Sequence, residues 1–410
     1  MHIAIFGINY APELTGAGKY TGELAVALVA AGHKVSVVTA PPYYPGWRRG
    51  SGYPPWQYRE EFLDGVRVLR CPLYVPGSPS LLKRLLHLFS FGLSALWGAV
   101  SVRRDKPDVV LLIQPTLFAA PAALLCSAGR STTRVMHVQD FELDAMQNLV
   151  AEISLLDRIA RSAERLLYRR FHAVSTISQG MITVARDKGI DPQRLSLLPN
   201  WVDTRAMSPQ SGQTVYHEQW QLREDQRVVL YAGNVGAKQG LEFLLAVALR
   251  RQTDDRCQFV IVGDGAGVAE LKDFAQKESL QNVRFLPLQP AERFPELLAT
   301  ADVHVVCQRR GAADIVLPSK LTGILAVGGH CVVTADSDTE LGRLAQEYPG
   351  ICECVVPESV DALEAGILEV LDADTRSPNL IARQYAEQHL EKSIVLERFC
   401  DWLESQALSE

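Results

Sequence analysis

The chain has 410 residues, 47% of them hydrophobic and 21% charged, and a formal net charge of −6. That length exceeds one ordinary hydrophobic core, so two domains are expected. The composition is that of a globular protein without low-complexity tracts, and an acidic chain of this kind leaves nucleic acid outside the expected partners.

The charge is unevenly spread. Residues 1–205 carry +7 (23 basic, 16 acidic), and the remainder carries −13. A basic first half on an acidic protein predicts an anionic surface, such as phospholipid, as partner of that half. Eight cysteines show no CxxC pair, and Cys126, Cys257, Cys307 and Cys331 lie in apolar runs. This suits reduced core thiols and a cytosolic protein, not a zinc site. The first apolar run is too short for a secretory leader, so none is expected.

Residues 3–6 (IAIF) predict a buried strand, followed by a polar loop holding Gly16, Gly18 and Lys19, with a helix from Tyr20. Glycines before a helix let backbone N–H groups converge on an anion, and the positive end of the helix dipole adds to them. Residues 34–39 (KVSVVT) form the next expected strand. Residues 41–58 (PPYYPGWRRGSGYPPWQY) interrupt the alternation. Their aromatic faces and basic tips suit a sugar or a membrane interface, which makes Tyr43, Tyr44 and Trp47 acceptor-side candidates. Residues 81–104 are the most apolar stretch, with 18 uncharged residues between Arg84 and Arg103. That length is at the lower edge for a membrane span and His87, Ser90, Ser94 and Ser101 weaken it further, so a buried or interfacial helix is expected, and basic residues at both ends fit one lying on an anionic leaflet. Strands are expected at 109–113, 135–138, 171–177 and 195–198. A helix at 151–171 should place Arg158, Arg161, Arg165 and Arg169 near one face. Residues 199–203 and 208–213 read as a linker. The second half alternates again, with strands at 228–232, 258–262, 283–286, 303–307 and 331–334, and one amphipathic helix at 382–403 closes the chain. Strand–helix alternation throughout predicts doubly wound parallel sheets.

The phosphate-seat pattern recurs in VVLYAGNVGAKQGLEFLL, residues 228–245, where Gly233, Asn234 and Lys238 offer backbone donors and a cation. Gly263, Asp264 and Gly265 form a tight turn after the next strand, and Arg309, Arg310, Ser319 and Lys320 follow. Several cations and glycine turns near one ligand would neutralise a diphosphate leaving group. A dinucleotide reading of Gly16–Gly22 fails on spacing: some ten residues separate it from the strand, and no acid closes the second strand. Asp336-Ser337-Asp338 and Asp372-Ala373-Asp374 match a three-residue metal pattern that arises often by chance, and no metal is expected. His137 and Asp140 follow the strand at 135–138, where such a pair can orient a sugar or take a proton.

The motifs together carry a resemblance. They are GINYAPELTGAGKYTGE (7–23), TAPPYYPGW (39–47), LHLFSF (86–91), HVQDFELDAM (137–146), STIS (175–178), PNWVD (199–203), YAGNVGAKQGLE (231–242), VGDG (262–265), LPSKLTGILAVGG (317–329) and TELG (339–342). In these the chain resembles retaining GT-B glycosyltransferases of family 4, in particular the bacterial exopolysaccharide branch of colanic-acid type. The resemblance implies two Rossmann-like domains, the acceptor on the first and the nucleotide sugar on the second, with a C-terminal helix crossing back. It implies chemistry without cofactor or metal, His137 or Asp140 at the reacting sugar, and Gly16 and Gly18 at the donor phosphate. Lys238 would meet the diphosphate. The chain departs from the family at Asn234, where an Arg is usual, and the family Lys falls one residue early, with Gln239 in its place. The paired glutamates are replaced by Asp314 and Gly323, leaving Glu340 as substitute ribose ligand.

The expected organisation is therefore an acceptor-side domain at 1–205, a donor domain at 206–381 and a returning helix at 382–410. The expected function is transfer from a GDP- or UDP-sugar to a lipid-linked glycan, peripherally at the cytoplasmic face of the bacterial inner membrane. The alternatives are a sugar-nucleotide epimerase of the same architecture and a nucleotide-sugar sensor. The apolar segment between Arg84 and Arg103 argues against the epimerase.

Overall fold

The alternation of apolar runs and helical stretches resolves into two parallel sheets. The structure is a computed structural model; it describes the chain except residues 14–15, 45, 78–79, 142–154, 210–213, 311–316, 374 and 409–410, and the side chains of 155–157, 159–160 and 291. Two compact units result. The first comprises Met1–Ile177, Met181–Pro199 and Leu396–Glu410, and the second Ser178–Gly180 and Asn200–Val395.

Among the described residues, the first unit holds eight strands: β1 (His2–Phe6), β2 (Lys34–Thr39), β3 (Arg59–Leu63), β4 (Val66–Arg70), β5 (Val109–Gln114), β6 (Thr133–Val138), β7 (Ala173–Thr176) and β8 (Leu195–Leu197). Their order is β3-β4-β2-β1-β5-β6-β7-β8. All neighbours are parallel except β3, which returns against β4 through a turn with positive φ at Asp64 and Gly65. Central β1 pairs Ile3 with Val35 of β2 and Val109 of β5, and all five of its residues are buried. A strand covered on both faces has no polar side to show, hence its uninterrupted apolar run. The helices are α1 (Gly16–Ala30), α2 (Leu81–Arg103), α3 (Ala120–Ser127), α4 (Leu155–Tyr168) and α5 (Gln179–Asp187). α1 begins at Gly16, four residues before the expected start, so Gly16–Lys19 are its first turn, whose N–H groups lack intrahelical partners. Arg158 and Arg165 of α4 are exposed, Arg161 is half-buried, and Arg169 lies just past the helix end.

The second unit has β9 (Arg227–Ala232), β10 (Cys257–Val262), β11 (Val283–Leu286), β12 (Val303–Val306), β13 (Cys331–Thr334) and β14 (Glu353–Val355), all parallel, in the order β11-β10-β9-β12-β13-β14. Its helices are α6 (Val215–Gln219), α7 (Leu241–Arg250), α8 (Val268–Lys277), α9 (Phe294–Ala299), α10 (Ser319–Ala326), α11 (Glu340–Glu347), α12 (Val360–Asp372) and α13 (Leu380–Tyr385); α14 (Lys392–Leu408) begins in it and belongs to the first unit from Leu396. Strand residues alternate between two cores. Val228 and Leu230 pack with Leu321, Ile324 and Leu325 of α10, whereas Val229 and Tyr231 pack with Leu241, Leu244 and Leu245 of α7.

The single helix expected at 382–403 is interrupted. At Leu390–Lys392 the backbone leaves the helix to pair with Val202, whose N–H donates to Leu390 O at 2.8 Å while Lys392 N–H donates to Val202 O at 2.9 Å. Glu391 fixes the break, accepting the Thr204 N–H at 3.0 Å and its hydroxyl. These bonds also place Asn200–Arg205 in the second unit. From Leu396 onward α14 belongs to the first unit, where Phe399 meets the His137 ring at 5.1 Å.

In each sheet the connections diverge at one strand. β1 lies between β2 and β5, and β9 lies between β10 and β12. The carboxyl edge at such a switch point is where open α/β sheets bind ligands. Both glycine-rich segments follow those strands.

Candidate active site

The second unit supplies an anion-binding surface built by backbone contact. The turn after β9 and the turn after β10 touch: Val235 N–H donates to Asp264 O at 2.9 Å, and Gly233 N–H to Val262 O at 2.9 Å. A Cβ on Gly263 would lie 1.8 Å from Gly233 O, and one on Gly265 would lie 2.2 Å from Val235 O. Both residues have positive φ, 158° and 150°. Only glycine fits such an approach. Asp264 is exposed and turns its carboxylate onto the Gly265 N–H at 2.7 Å.

Lys320 enters from the first turn of α10. Its ammonium donates to the Tyr231 hydroxyl at 2.7 Å and lies 3.9 Å from that ring's centroid, directly beneath Gly233. The Tyr231 hydroxyl in turn donates to Asn234 O at 2.6 Å. Burial pulls the Lys320 ammonium down to about 8 from an ordinary value of 10.5. Ser319, Asn234 and Lys238 are exposed around it. Gln239 is committed locally, accepting the Gly236 N–H at 3.1 Å. The two arginines expected to add positive charge are paired instead: Arg309 with Glu242 and Glu358, and Arg310 with Asp336 at 2.8 Å. Arg310 thus holds one aspartate of the Asp336-Ser337-Asp338 pattern, and Asp374 and Asp314 lie outside the described residues.

Beside the glycine turns lies a cavity of about 400 Å³ lined by Val235, Gly263, Asp264, Lys272, Phe285 and Leu288. Its walls mix apolar side chains with polar groups, Asp264 and Lys272 among them, as small-molecule sites commonly do. Phe285, Leu288 and Lys272 were not among the sequence candidates. The segment after β11, Pro287-Leu288-Gln289-Pro290, has no glycine or charge to flag it.

Glu340 stands at the start of α11, and its carboxylate accepts N–H groups of Gln179 at 3.1 Å and Gly180 at 2.8 Å. Gly323 faces Met207, Leu298 and Phe294, within 3.2–3.8 Å of where a Cβ would stand. The position that the resemblance assigns to a ribose-binding glutamate is therefore apolar here.

In the first unit Glu13 organises the loops beside α1. It is buried, its Oε1 accepts the Tyr43 and Tyr44 N–H groups, each at 2.9 Å, and its Oε2 accepts Asn9 Nδ2 at 2.8 Å. Burial raises its carboxyl above the usual range, against the three donors that lower it. Gly18 packs on this carboxylate, where a Cβ would lie 2.7 Å from Oε2. Gly16 (φ 61°) packs beside Tyr44, and Lys19 extends over the Tyr20 ring at 5.4 Å. Arg70, fully buried, ties the same loops by donating to Ala40 O and Ala11 O, and it pairs with Glu61. Glu13→Ala is expected to leave buried N–H groups without acceptors and to cost about 1–2 kcal/mol. Chemical denaturation would show this as a lower midpoint at unchanged slope.

Tyr43 and Trp47 close over His87 of α2, with ring centroids at 4.7 and 5.4 Å, and Arg84 stacks on Trp47 at 5.7 Å. His137, at the end of β6, is buried and engaged at both nitrogens: Nδ1 with Ser175 Oγ at 2.9 Å, and Nε2 with Gln139 Nε2 at 3.2 Å. Because the Gln139 amide nitrogen is a donor, Nε2 must accept and Nδ1 must carry the proton. Desolvation pushes its pKa to about 3, so the ring is neutral. Asp140, three residues on, is exposed.

Residues 15–201 match the sequence model of the glycosyl transferase 4-like domain, and residues 212–388 that of the glycosyl transferases group 1. The chain belongs to the GT-B glycosyltransferases. It is 45% identical over 405 residues, 97% of its own length and 98% of the relative's, to WcaI of Escherichia coli (strain K12), named as a colanic acid biosynthesis glycosyl transferase. Among solved structures it shares the fold of sucrose-phosphate synthase from Thermosynechococcus elongatus, with a TM-score of 0.76, 16% identity and all of both chains covered. It also shares that of Anabaena HepE, solved with UDP and glucose, at a TM-score of 0.69 and 15% identity, over 99% of this chain and 100% of HepE. This glycosyltransferase thus has the expected GT-B architecture, and its glycine turns, Lys320 and the cavity beside them gather in the second unit.

Proposed function

We propose that this glycosyltransferase moves a sugar from a GDP- or UDP-sugar to a lipid-linked glycan during exopolysaccharide assembly, working peripherally at the cytoplasmic face of the inner membrane. The carrying observation is the junction of the β9 and β10 turns, with Lys320 beneath it and the 400 Å³ cavity beside it. In this reading the cavity takes the base. The N–H groups after Gly233, with Lys238 and Lys320, neutralise the diphosphate as it leaves, and Ser319 at the start of α10 adds a donor. Gly16, Gly18 and Lys19, in the first turn of α1, are the residues that the family resemblance assigns to the donor phosphate. Tyr43, Tyr44 and Trp47 serve the acceptor. His137, neutral and held at both nitrogens, positions the segment that carries Asp140, and Asp140 meets the reacting sugar. The transfer retains anomeric configuration, which the anomeric proton coupling of the fresh product reads directly. The relative assigned to colanic acid biosynthesis supports the exopolysaccharide setting. Neither family model nor relative supports the epimerase alternative.

The test is a thermal-shift titration with GDP, UDP, ADP and NAD, since a ligand of the folded state raises its melting temperature as concentration exceeds Kd. One nucleoside diphosphate is expected to shift the protein and NAD to leave it unmoved; a shift with NAD alone would overturn the reading. Lys238→Ala is expected to weaken binding of that nucleotide about tenfold, the loss of one charge-assisted contact. Unchanged affinity would remove Lys238 from the site.

A further inference from the structure

Helix α2 has two apolar faces, and only one is used by the fold. His87, Phe91, Gly92, Ala95, Gly98, Ala99 and Val102 are buried. The two glycines show how closely that face is seated. A Cβ on Gly92 would lie 2.6 Å from Phe118 O, and one on Gly98 would lie 2.8 Å from Val38 Cγ1. On the opposite side Leu82, Leu86, Phe89, Leu93, Trp97 and Val100 are 39–76% exposed. Their spacing of four, three, four, four and three residues keeps them on one stripe of a 3.6-residue helix, about 27 Å long at 1.5 Å per residue. Soluble surfaces scatter such side chains singly; a contiguous stripe of six marks a contact surface.

The neighbouring elements extend it. The Tyr58 hydroxyl donates to Ser94 O at 3.0 Å, fixing the loop that carries exposed Trp56 alongside α2. Exposed Phe62 lies opposite Arg67 in the β3–β4 register, and Arg67 reaches Ser101 and Asp105 at the end of α2. Basic residues stand at both ends: Lys83 and Arg84 in the first turn, Arg103 and Arg104 at the last. Two acids beside the C-terminal end of α2, Glu60 and Asp105, are both paired with Arg67. An apolar stripe with basic residues at both ends is complementary to an anionic lipid leaflet.

We propose that this face of α2, with Trp56 and Phe62, docks the protein onto an anionic bilayer, the helix lying in the interface plane. By length and composition the helix would also pass as a span. Crossing, however, would strip its inner face from Val38, Leu69, Cys71 and Phe118, which close on Gly92 and Gly98. The inner face also gives the docking a purpose. His87, one residue from Leu86 on the outer stripe, is the floor on which Tyr43 and Trp47 rest. The helix that enters the headgroup layer therefore carries the acceptor-side loop to it. This second step rests on the proposed function; the docking itself does not.

The experiment is co-sedimentation of the full chain with vesicles of phosphatidylcholine, with and without phosphatidylglycerol. Wild type is expected to sediment with the anionic vesicles, less so as salt rises. The double variant Leu93→Glu/Trp97→Glu is expected to lose at least tenfold in partitioning, with its melting temperature and nucleotide affinity unchanged because both side chains are exposed. The milder Leu93→Ser/Trp97→Ser gives the same reading should two added charges disturb folding. The double variant should also raise KM for a long-chain lipid-linked acceptor while leaving a short water-soluble acceptor unaffected. Wild type that ignores anionic vesicles, or a variant that sediments equally well, overturns the docking. So does light scattering that shows a wild-type dimer and a monomeric variant, since the stripe would then belong to a second copy. Docking without any nucleotide-induced thermal shift would preserve this surface and refute the transferase reading of the site.

Discussion

Gly263→Ala is expected to abolish nucleotide binding and to destabilise the second unit by about 4 kcal/mol. The new methyl carbon would stand 1.8 Å from Gly233 O, well inside any van der Waals contact, and neither partner is a flexible side chain that swings away. The turns after β9 and β10 would have to separate, breaking the Gly233 N–H bond to Val262 O and the Val235 N–H bond to Asp264 O. Overpacking of this kind costs about 1–3 kcal/mol, and a positive-φ residue forced off glycine adds about 1–3 more. The same separation opens the cavity edge formed by Val235 and Gly263, so the nucleotide shift should disappear even where the protein still folds. Gly46→Ala is the control: nothing lies within 4 Å of its would-be Cβ, so stability should change by less than about 0.5 kcal/mol. A Gly263→Ala protein with wild-type stability and nucleotide shift would show that contact between the two turns does not shape the site.

The fold was legible because buried parallel strands leave a strong local mark. Residues 3–6, 228–232 and 259–262 are continuous apolar runs, and each lies in a strand. The β3–β4 hairpin leaves one local mark, the Asp64-Gly65 turn signal between two five-residue segments. Edge strand β3, REEFL, is mostly charged and mostly exposed, so it lacks the apolar run that exposed its neighbours. The break at Glu391 was illegible for another reason. Residues 382–403 keep a helical period, and what stops the helix is pairing with Val202, nearly two hundred residues earlier. At the site, the glycines announced the β9 and β10 turns because close backbone approach admits no other residue. Charge was a poorer guide. Sequence shows that Arg309 and Arg310 are cationic but not that Glu242, Glu358 and Asp336 neutralise them. Nor does it show that Lys320 lies half-buried against Tyr231. The stripe on α2 was hidden by composition. The segment is apolar on nearly all sides, and only the packed domain distinguishes the face it uses from the face it leaves open.

Lys320→Met is expected to weaken nucleoside diphosphate binding about a hundredfold at pH 7 while making the free protein more stable. The two effects share one cause. Desolvation holds the ammonium at about 8, against 10.5 in the unfolded chain. Between those values the native state binds fewer protons than the unfolded state, so stability rises with pH across that window and falls as pH drops through 8. Below pH 8 the full cost of burying the charge is present, and methionine, of similar length and uncharged, removes it. Tyr231 keeps its bond to Asn234 O, so the substitution leaves no orphaned hydroxyl. Binding runs the other way. A diphosphate beside Gly233 favours the charged amine, so its affinity should be greatest below pH 8. Above that it should decline by up to tenfold per pH unit as the free protein loses the proton. The methionine variant has no such group, and its affinity should be flat from pH 7 to 9. Calorimetric titration of wild type and variant with the nucleotide that shifts the melting temperature measures both profiles. Wild type that binds equally well at pH 7 and pH 9 would place Lys320 away from the diphosphate. The buried amine would then be a core lysine, and the variant's gain in stability would come with no loss of binding.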